Sequence, residues 1–208
     1  MPSWPFSARP SPTNEKAIEV AQAKQPDWVA FPQAAKIRIL LLKDDIKSAK
    51  EYAGDTLYEP ISIPYARYTI FLCLANIELA VCTGDQDLAL TLVEDLLDEV
   101  NTLTRVGLPD ILRWKGKAQF ALGKLDKAHQ TLTQACSQAQ SLGASSQLWP
   151  IFENLALAND KLGRKAEAEE NREAAREIIG QIAESLREVG FYDSFLRQPR
   201  VRALMRQS

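Results

Sequence analysis

Histidine occurs once in these 208 residues, at His129. A serine or cysteine nucleophile needs a base to take its proton, and imidazole is the usual one. With one imidazole and no cysteine at nucleophile spacing beside it, His129 reads as a packed or half-exposed structural side chain. The carboxylates are many, but they gather on runs such as Glu167, Glu169, Glu170 and Glu173. That is the pattern of a solvated helix face, and nothing in it singles out an acid–base pair. The three cysteines, Cys73, Cys82 and Cys136, have no metal-ligand spacing among themselves or with His129. The nine glycines are scattered, and no Gly-x4-Gly-Lys-Ser/Thr phosphate loop occurs. No catalytic residue, metal or cofactor is therefore expected. The chemistry that remains is recognition.

The side chains suited to recognition are Arg38, Glu78, Arg113 and Lys117, with the aromatics Phe71 and Phe120 nearby. Cations beside aromatic faces on a groove fit an acidic or C-terminal peptide, or a small polar ligand. A protein or peptide partner is the expectation, and a small ligand is the other form it takes. Residues 187–208 carry five arginines against Glu188 and Asp193. A solvated C-terminal helix is the common reason for such a stretch, and this chain alone is not expected to bind nucleic acid. No helix-turn-helix with a basic recognition helix is evident either.

Those side chains need elements to hold them, and residues 112–136 show what the elements are. LRWKGKAQFALGKLDKAHQTLTQAC reads as a helix, a tight turn at Gly123, and a second helix folding back. Glycine ends the first helix because it takes the left-handed C-cap conformation without a Cβ clash. Such a unit cannot bury its apolar face alone and implies copies. Equivalent turns fall at Gly84, 39 residues earlier, and at Gly163, 40 residues later, and another step of 40 back reaches Asp44. Five residues after each anchor stand Ala49, Ala89, Ala128 and Ala168, small enough for two helices to approach closely. Five before stand Ile39, Leu79, Ala118 and Ala158; seven before stand Ile37, Ile77, Gly116 and Ala156. Arg38, Glu78 and Lys117 lie six before an anchor and Arg113 ten before, all on first helices. First helices line the inner face of paired-helix arrays, which is why these residues are the candidates.

The expected fold is all-α: a right-handed superhelix of antiparallel helix pairs. Residues 1–13 form a Pro-rich leader, with Trp4 and Phe6 available to dock on the body. Residues 14–188 form the array, an N-terminal helix capped by Asn14 followed by about four pairs. Residues 189–208 form a tail with a short helix after Pro199. Asp27 is expected to cap the helix over 28–43, and Gly54, Pro60 and Pro64 make a loop before the helix over 65–82. The segment 164–188, rich in alternating charge, suits a capping helix with one face in water.

Composition agrees with such a chain: 46 % hydrophobic, 25 % charged and a formal net charge of −2 are ordinary for a globular protein, and this balance neither demands nucleic acid nor predicts a membrane surface. The most apolar stretch, 68–82, contains Asn76 and Glu78 and falls short of a membrane span. Prolines interrupt the N-terminus where a signal peptide needs an unbroken apolar core. Cys73 and Cys82 lie nine residues apart on one expected helix, roughly 13 Å along its axis, too far for a disulfide. Buried thiols in a reducing cytoplasm are the expectation.

The turn motif, with its glycine and following alanine, resembles the tetratricopeptide repeat. It is read on ALGKLDKA at 121–128, KLGRKAEA at 161–168, CTGDQDLA at 82–89 and LKDDIKSA at 42–49. The spacing of 39–40 exceeds that family's usual ~34. Long-helix repeats of this kind look like those in large ATP-dependent LuxR-type transcription regulators and related multidomain signalling ATPases. There the array follows the ATPase and acts as a sensor or partner-binding arm; SFLRQPRVRAL at 194–204 is similar to the endings of some such proteins. The resemblance implies a non-catalytic protein-interaction or sensor module in signalling or transcription regulation. The other role it implies is a structural scaffold or oligomerisation arm of a larger protein.

Overall fold

The architecture follows from where the backbone turns left-handed. In the computed structural model, which describes residues 13–24, 29–54, 66–103 and 107–206, the four anchor residues all have positive φ: Asp44 at 60°, Gly84 at 82°, Gly123 at 73° and Gly163 at 78°. At Gly123 the Lys124 N–H donates to the Gln119 carbonyl at 2.9 Å and the Gly123 N–H to the Phe120 carbonyl at 2.9 Å. This pair of bonds satisfies carbonyls that the helix end would leave bare. The same pair recurs after Asp44, Gly143, Gly163 and Gly190. Of the described residues 85 % are helical, and none is in a strand.

Eleven helices are described: α1 (Thr13–Lys24), α2 (Ala30–Leu42), α3 (Ile46–Ala53), α4 (Ala66–Thr83), α5 (Gln86–Leu103), α6 (Leu108–Ala121), α7 (Leu125–Ser141), α8 (Ser145–Lys161), α9 (Lys165–Ser185), α10 (Tyr192–Leu196) and α11 (Pro199–Met205). They divide into two compact units, Met1–Thr83 and Gly84–Ser208.

In the first unit α2 packs against α1, α3 and α4, and α3 touches α4. Asp45 caps α3 by accepting from the Ser48 N–H at 3.1 Å. The four-three-four spacing of Ile70, Leu74, Ile77 and Val81 puts all four inside. Helix α1 begins at Thr13, one residue before the cap expected at Asn14. The Asp27 cap, the 55–65 loop, and Trp4 and Phe6 of the leader lie outside the described residues.

In the second unit α6 packs on α5, α7 and α8, α7 on α8, and α8 on α9. Gly116 is what lets α6 and α7 meet: a Cβ there would stand 2.6 Å from Leu132 Cγ. Leu112, Leu132, Ala135, Ala139, Ile151, Leu155 and Ala158 form the core between these helices. Helix α9 keeps Glu170, Glu173, Glu177 and Gln181 exposed along one face, while another edge is covered. Helix α11 covers it, with Val201 and Leu204 clustering on Ala175 and Ile179. Arg200 of α11 pairs with Glu153 of α8, its Nε donating to Oε2 at 2.6 Å.

Ala49, Ala89, Ala128 and Ala168 are all 0 % exposed, as the alanine column predicts. Its neighbour column departs at one end: Leu79, Ala118 and Ala158 are buried, but Ile39 is 44 % exposed. The thiols also differ from expectation. None is disulfide-bonded, yet Cys82 is exposed and Cys73 and Cys136 are only partly covered. No helix among the described residues is long and apolar enough to cross a membrane.

Candidate functional site

The residues singled out from sequence fall into two groups, one in each unit. In the first, Arg38 Nε lies 3.3 Å from Glu78 Oε2, so the two spend their charge on each other. Phe71 is 43 % exposed, with its ring 5.0 Å from that of Phe31. In the second, Arg113 is only 6 % exposed and therefore not the solvent-facing groove charge that its column implied. Its Nε donates to Asp110 Oδ1 at 3.1 Å, and its guanidinium lies 4.2 Å from the Trp114 ring centroid. Lys117 Nζ lies 4.8 Å from the same ring, and Phe120 packs against the α6–α8 core. Trp114, which joins Arg113 and Lys117, was not apparent as a candidate. It is 2 % exposed, and its indole N–H has no acceptor among the described residues.

A cavity of about 520 Å³ lies elsewhere in the second unit, over α8 and between α7 and α9. Helix α7 contributes His129, Thr133, Cys136, Ser137 and Gln140, which share one helical stripe. Helix α8 supplies Phe152, Leu155 and Asn159; α9 supplies Glu167, Glu170 and Asn171, with Arg164 at its N-cap position. Its size is that of a ligand site, and its lining mixes an apolar floor with convergent polar groups.

Asn159 is the unusual member. It is 2 % exposed, it lines the cavity, and its Oδ1 accepts no hydrogen bond from the described residues. Leaving a buried amide oxygen unmet costs on the order of 1–3 kcal/mol. The position is set by the turn that follows: the Asn159 carbonyl accepts from the Arg164 N–H at 2.9 Å, fixing the residue at the end of α8. The residues equivalent to it are Leu40, Ala80 and Gln119. Gln119, one turn earlier, is also buried with an unmet amide oxygen. The change in that column from Leu40 and Ala80 to two amides is the signal a reader of the sequence had available.

The cavity also carries charge. Arg164, Glu167 and Glu170 form no ion pair among the described residues. On the other side of α9 the charges are fully engaged: Lys165 and Arg172 meet Asp160, and Arg172 and Arg176 meet Glu169. The hydrogen bond from Lys165, with Arg172 adding its charge, holds the Asp160 carboxyl below the usual range; Arg176 and then Arg172 do the same for Glu169. A second cavity, of about 470 Å³, lies on that side against Ala203 and Leu204, and it is rimmed by these paired groups.

The cavity does not bring His129 and Cys136 together as base and nucleophile. His129 and Cys136 are seven residues apart on one helix, about 10 Å along its axis, beyond hydrogen-bond reach. Burial pushes the Cys136 thiol up, away from the thiolate that a nucleophile requires. The described residues hold no group of three or more His, Cys, Asp or Glu side chains placed to hold a metal ion. Thr133 donates to the His129 carbonyl at 2.9 Å and Asn171 to the Glu167 carbonyl at 2.6 Å, each within its own helix.

Compared with known proteins, the chain matches no family model, and no curated protein matches it.

Proposed function

We propose that this chain is a recognition module, a tetratricopeptide-like α-solenoid without catalysis of its own, that binds a protein or peptide segment or a small polar ligand. The observation that carries the reading is Asn159, a buried amide held against a ligand-sized cavity with its oxygen unmet. A fold selected only for stability would place an apolar residue there, as Leu40 and Ala80 do in the equivalent turns. The recurring turns and the buried alanine column support the solenoid, and the resemblance to sensor arms of signalling ATPases and transcription regulators supports the cellular role. The same resemblance supplies the other role, a scaffold or oligomerisation arm of a larger protein.

Replacement of Asn159 separates the two roles. Asn159→Leu removes the unmet amide, so its melting temperature is expected to equal or exceed that of the parent chain. Linear peptides selected on the parent chain from a displayed random library should lose at least tenfold in affinity for Asn159→Leu. Peptides that bind the variant unchanged would remove this cavity from the reading and leave the scaffold role.

A second surface rests on its own observation. Arg113 and Lys117 flank Trp114, whose indole N–H is buried without an acceptor among the described residues. Lys117 and Phe120 are proposed for a partner-binding surface of the second unit, with Arg113 held inside against Trp114; Arg38, Phe71 and Glu78 are proposed separately for the first unit.

A further inference from the structure

We infer that the α7–α8–α9 cavity takes an extended peptide segment carrying a lysine or arginine, its backbone amide on Asn159 and its cationic side chain between Glu167 and Glu170. The inference rests on the recognition reading above and adds the chemistry of the occupant.

The first element is the carboxamide of Asn159. A primary amide presents an acceptor oxygen beside N–H donors in one plane, which is the complement of a peptide group's own N–H and C=O. The oxygen is unmet and has almost no exposed surface, so a donor reaches it only with a small shift of the cavity wall, and an occupant that does so removes a standing cost. A strand-like segment brings such a donor with every residue.

The second element is charge. Glu167 and Glu170 are exposed, three residues apart on one face of α9, and no ion pair among the described residues occupies either. On the same helix Glu169 pairs with both Arg172 and Arg176, whereas Glu173 and Glu177, like Glu167 and Glu170, enter no ion pair among the described residues; what sets Glu167 and Glu170 apart is that both line the cavity. Two unneutralised carboxylates stand against one cation, Arg164, in the lining of the cavity, an excess of one negative charge between them. That field favours an ammonium or guanidinium and disfavours a carboxylate.

The third element is the floor. Phe152 and Leu155 give the methylene stem of a lysine or arginine an apolar surface while its head stays among the carboxylates. Arg164 stands one turn before Glu167 and opposes the same cation, so its sign supplies a control.

The test uses three end-blocked pentapeptides on the full chain: Ac-Ala-Ala-Lys-Ala-Ala-NH2 and its norleucine and glutamate counterparts, with butylamine as a free amine. Binding is read at millimolar concentration from the Asn159 side-chain amide resonance. The lysine peptide is expected to move that resonance and to bind at least fivefold more tightly than the other two peptides. Butylamine is expected to bind more weakly than the lysine peptide. Glu167→Lys combined with Glu170→Lys should weaken the lysine peptide about tenfold, and Arg164→Glu should strengthen it, each effect shrinking with added salt. A purely structural role for these exposed residues would not give opposite signs. Equal binding of the glutamate peptide, or butylamine binding as well as the peptide, would overturn the inference while leaving the Asn159→Leu test of the recognition reading intact. Silence from all four probes would overturn it too.

Discussion

Gly116 shows how much a single hydrogen atom in place of a methyl group can decide. Its missing Cβ is the space that Leu132 fills, with 2.6 Å and 2.8 Å left to Cγ and Cδ2. Gly116→Ala therefore has to push a fully buried leucine out of its seat, at a cost of about 1–3 kcal/mol. Leu132→Ala alone should cost about 2–5 kcal/mol through the void it leaves. The two changes made together should cost less than their separate effects added, since the new methyl occupies part of the void. Urea unfolding of the four proteins measures this coupling, and strict additivity would mean that α6 and α7 stand further apart than described. The burial of Arg113 belongs at the same scale. Its sequence column marks it as a groove charge, whereas Asp110 and Trp114 hold it inside. Nothing in a one-dimensional spacing distinguishes a cation facing water from one laid over a neighbour's indole.

At the scale of helices, the residue after each turn tells a second story. Asp45 and Asp85 accept from the backbone N–H three residues on, at 3.1 Å and 3.2 Å, and so cap α3 and α5. In the same place before α7 and α9 stand Lys124 and Arg164, which cap nothing. Lys124 has nearly the backbone angles of Asp45, φ −80° and ψ 61° against −92° and 66°. Lys124→Asp should therefore create a cap and raise stability by about 1 kcal/mol, while Asp45→Ala should lower it by a similar amount. Thermal melts of both variants check the pair. Turns and helices were legible in the sequence because their causes are local: a left-handed residue, a cap, an apolar stripe. The floor of the cavity was not, because Asn159, Phe152 and Leu155 meet Glu167 and Glu170 only after α7 and α9 have packed on α8. Read along the chain, Glu167 and Glu170 are two more acids in a polar helix. Only the packed cavity shows that both face the same space.

For the molecule as a whole, the paired face of α8 and α9 sets how stability responds to acid. Asp160 has its pKa held below the ordinary 3.8 first by the Lys165 hydrogen bond, and Glu169 below 4.5 first by Arg176. A carboxyl depressed in the folded state adds stability above its unfolded pKa and loses it as pH falls through the folded value. Acidification from about pH 4 downward should therefore erode stability. Asp160→Asn should melt lower than the parent chain at neutral pH, and the gap should close in that acidic window. A gap that persists unchanged at pH 2 would show that the ion pairs contribute nothing to folding.

The half-covered thiol in the cavity wall has a practical consequence. Cys136 lines the space that Asn159 and Glu167 share, with a raised pKa that keeps it a slow thiol, whereas Cys82 is exposed. Alkylation of the unmodified chain thus contains its own clock and its own gauge. Cys82 times the reagent, and the lag of Cys136 behind it, lengthening as an occupant fills the cavity, reports occupancy with no engineered label.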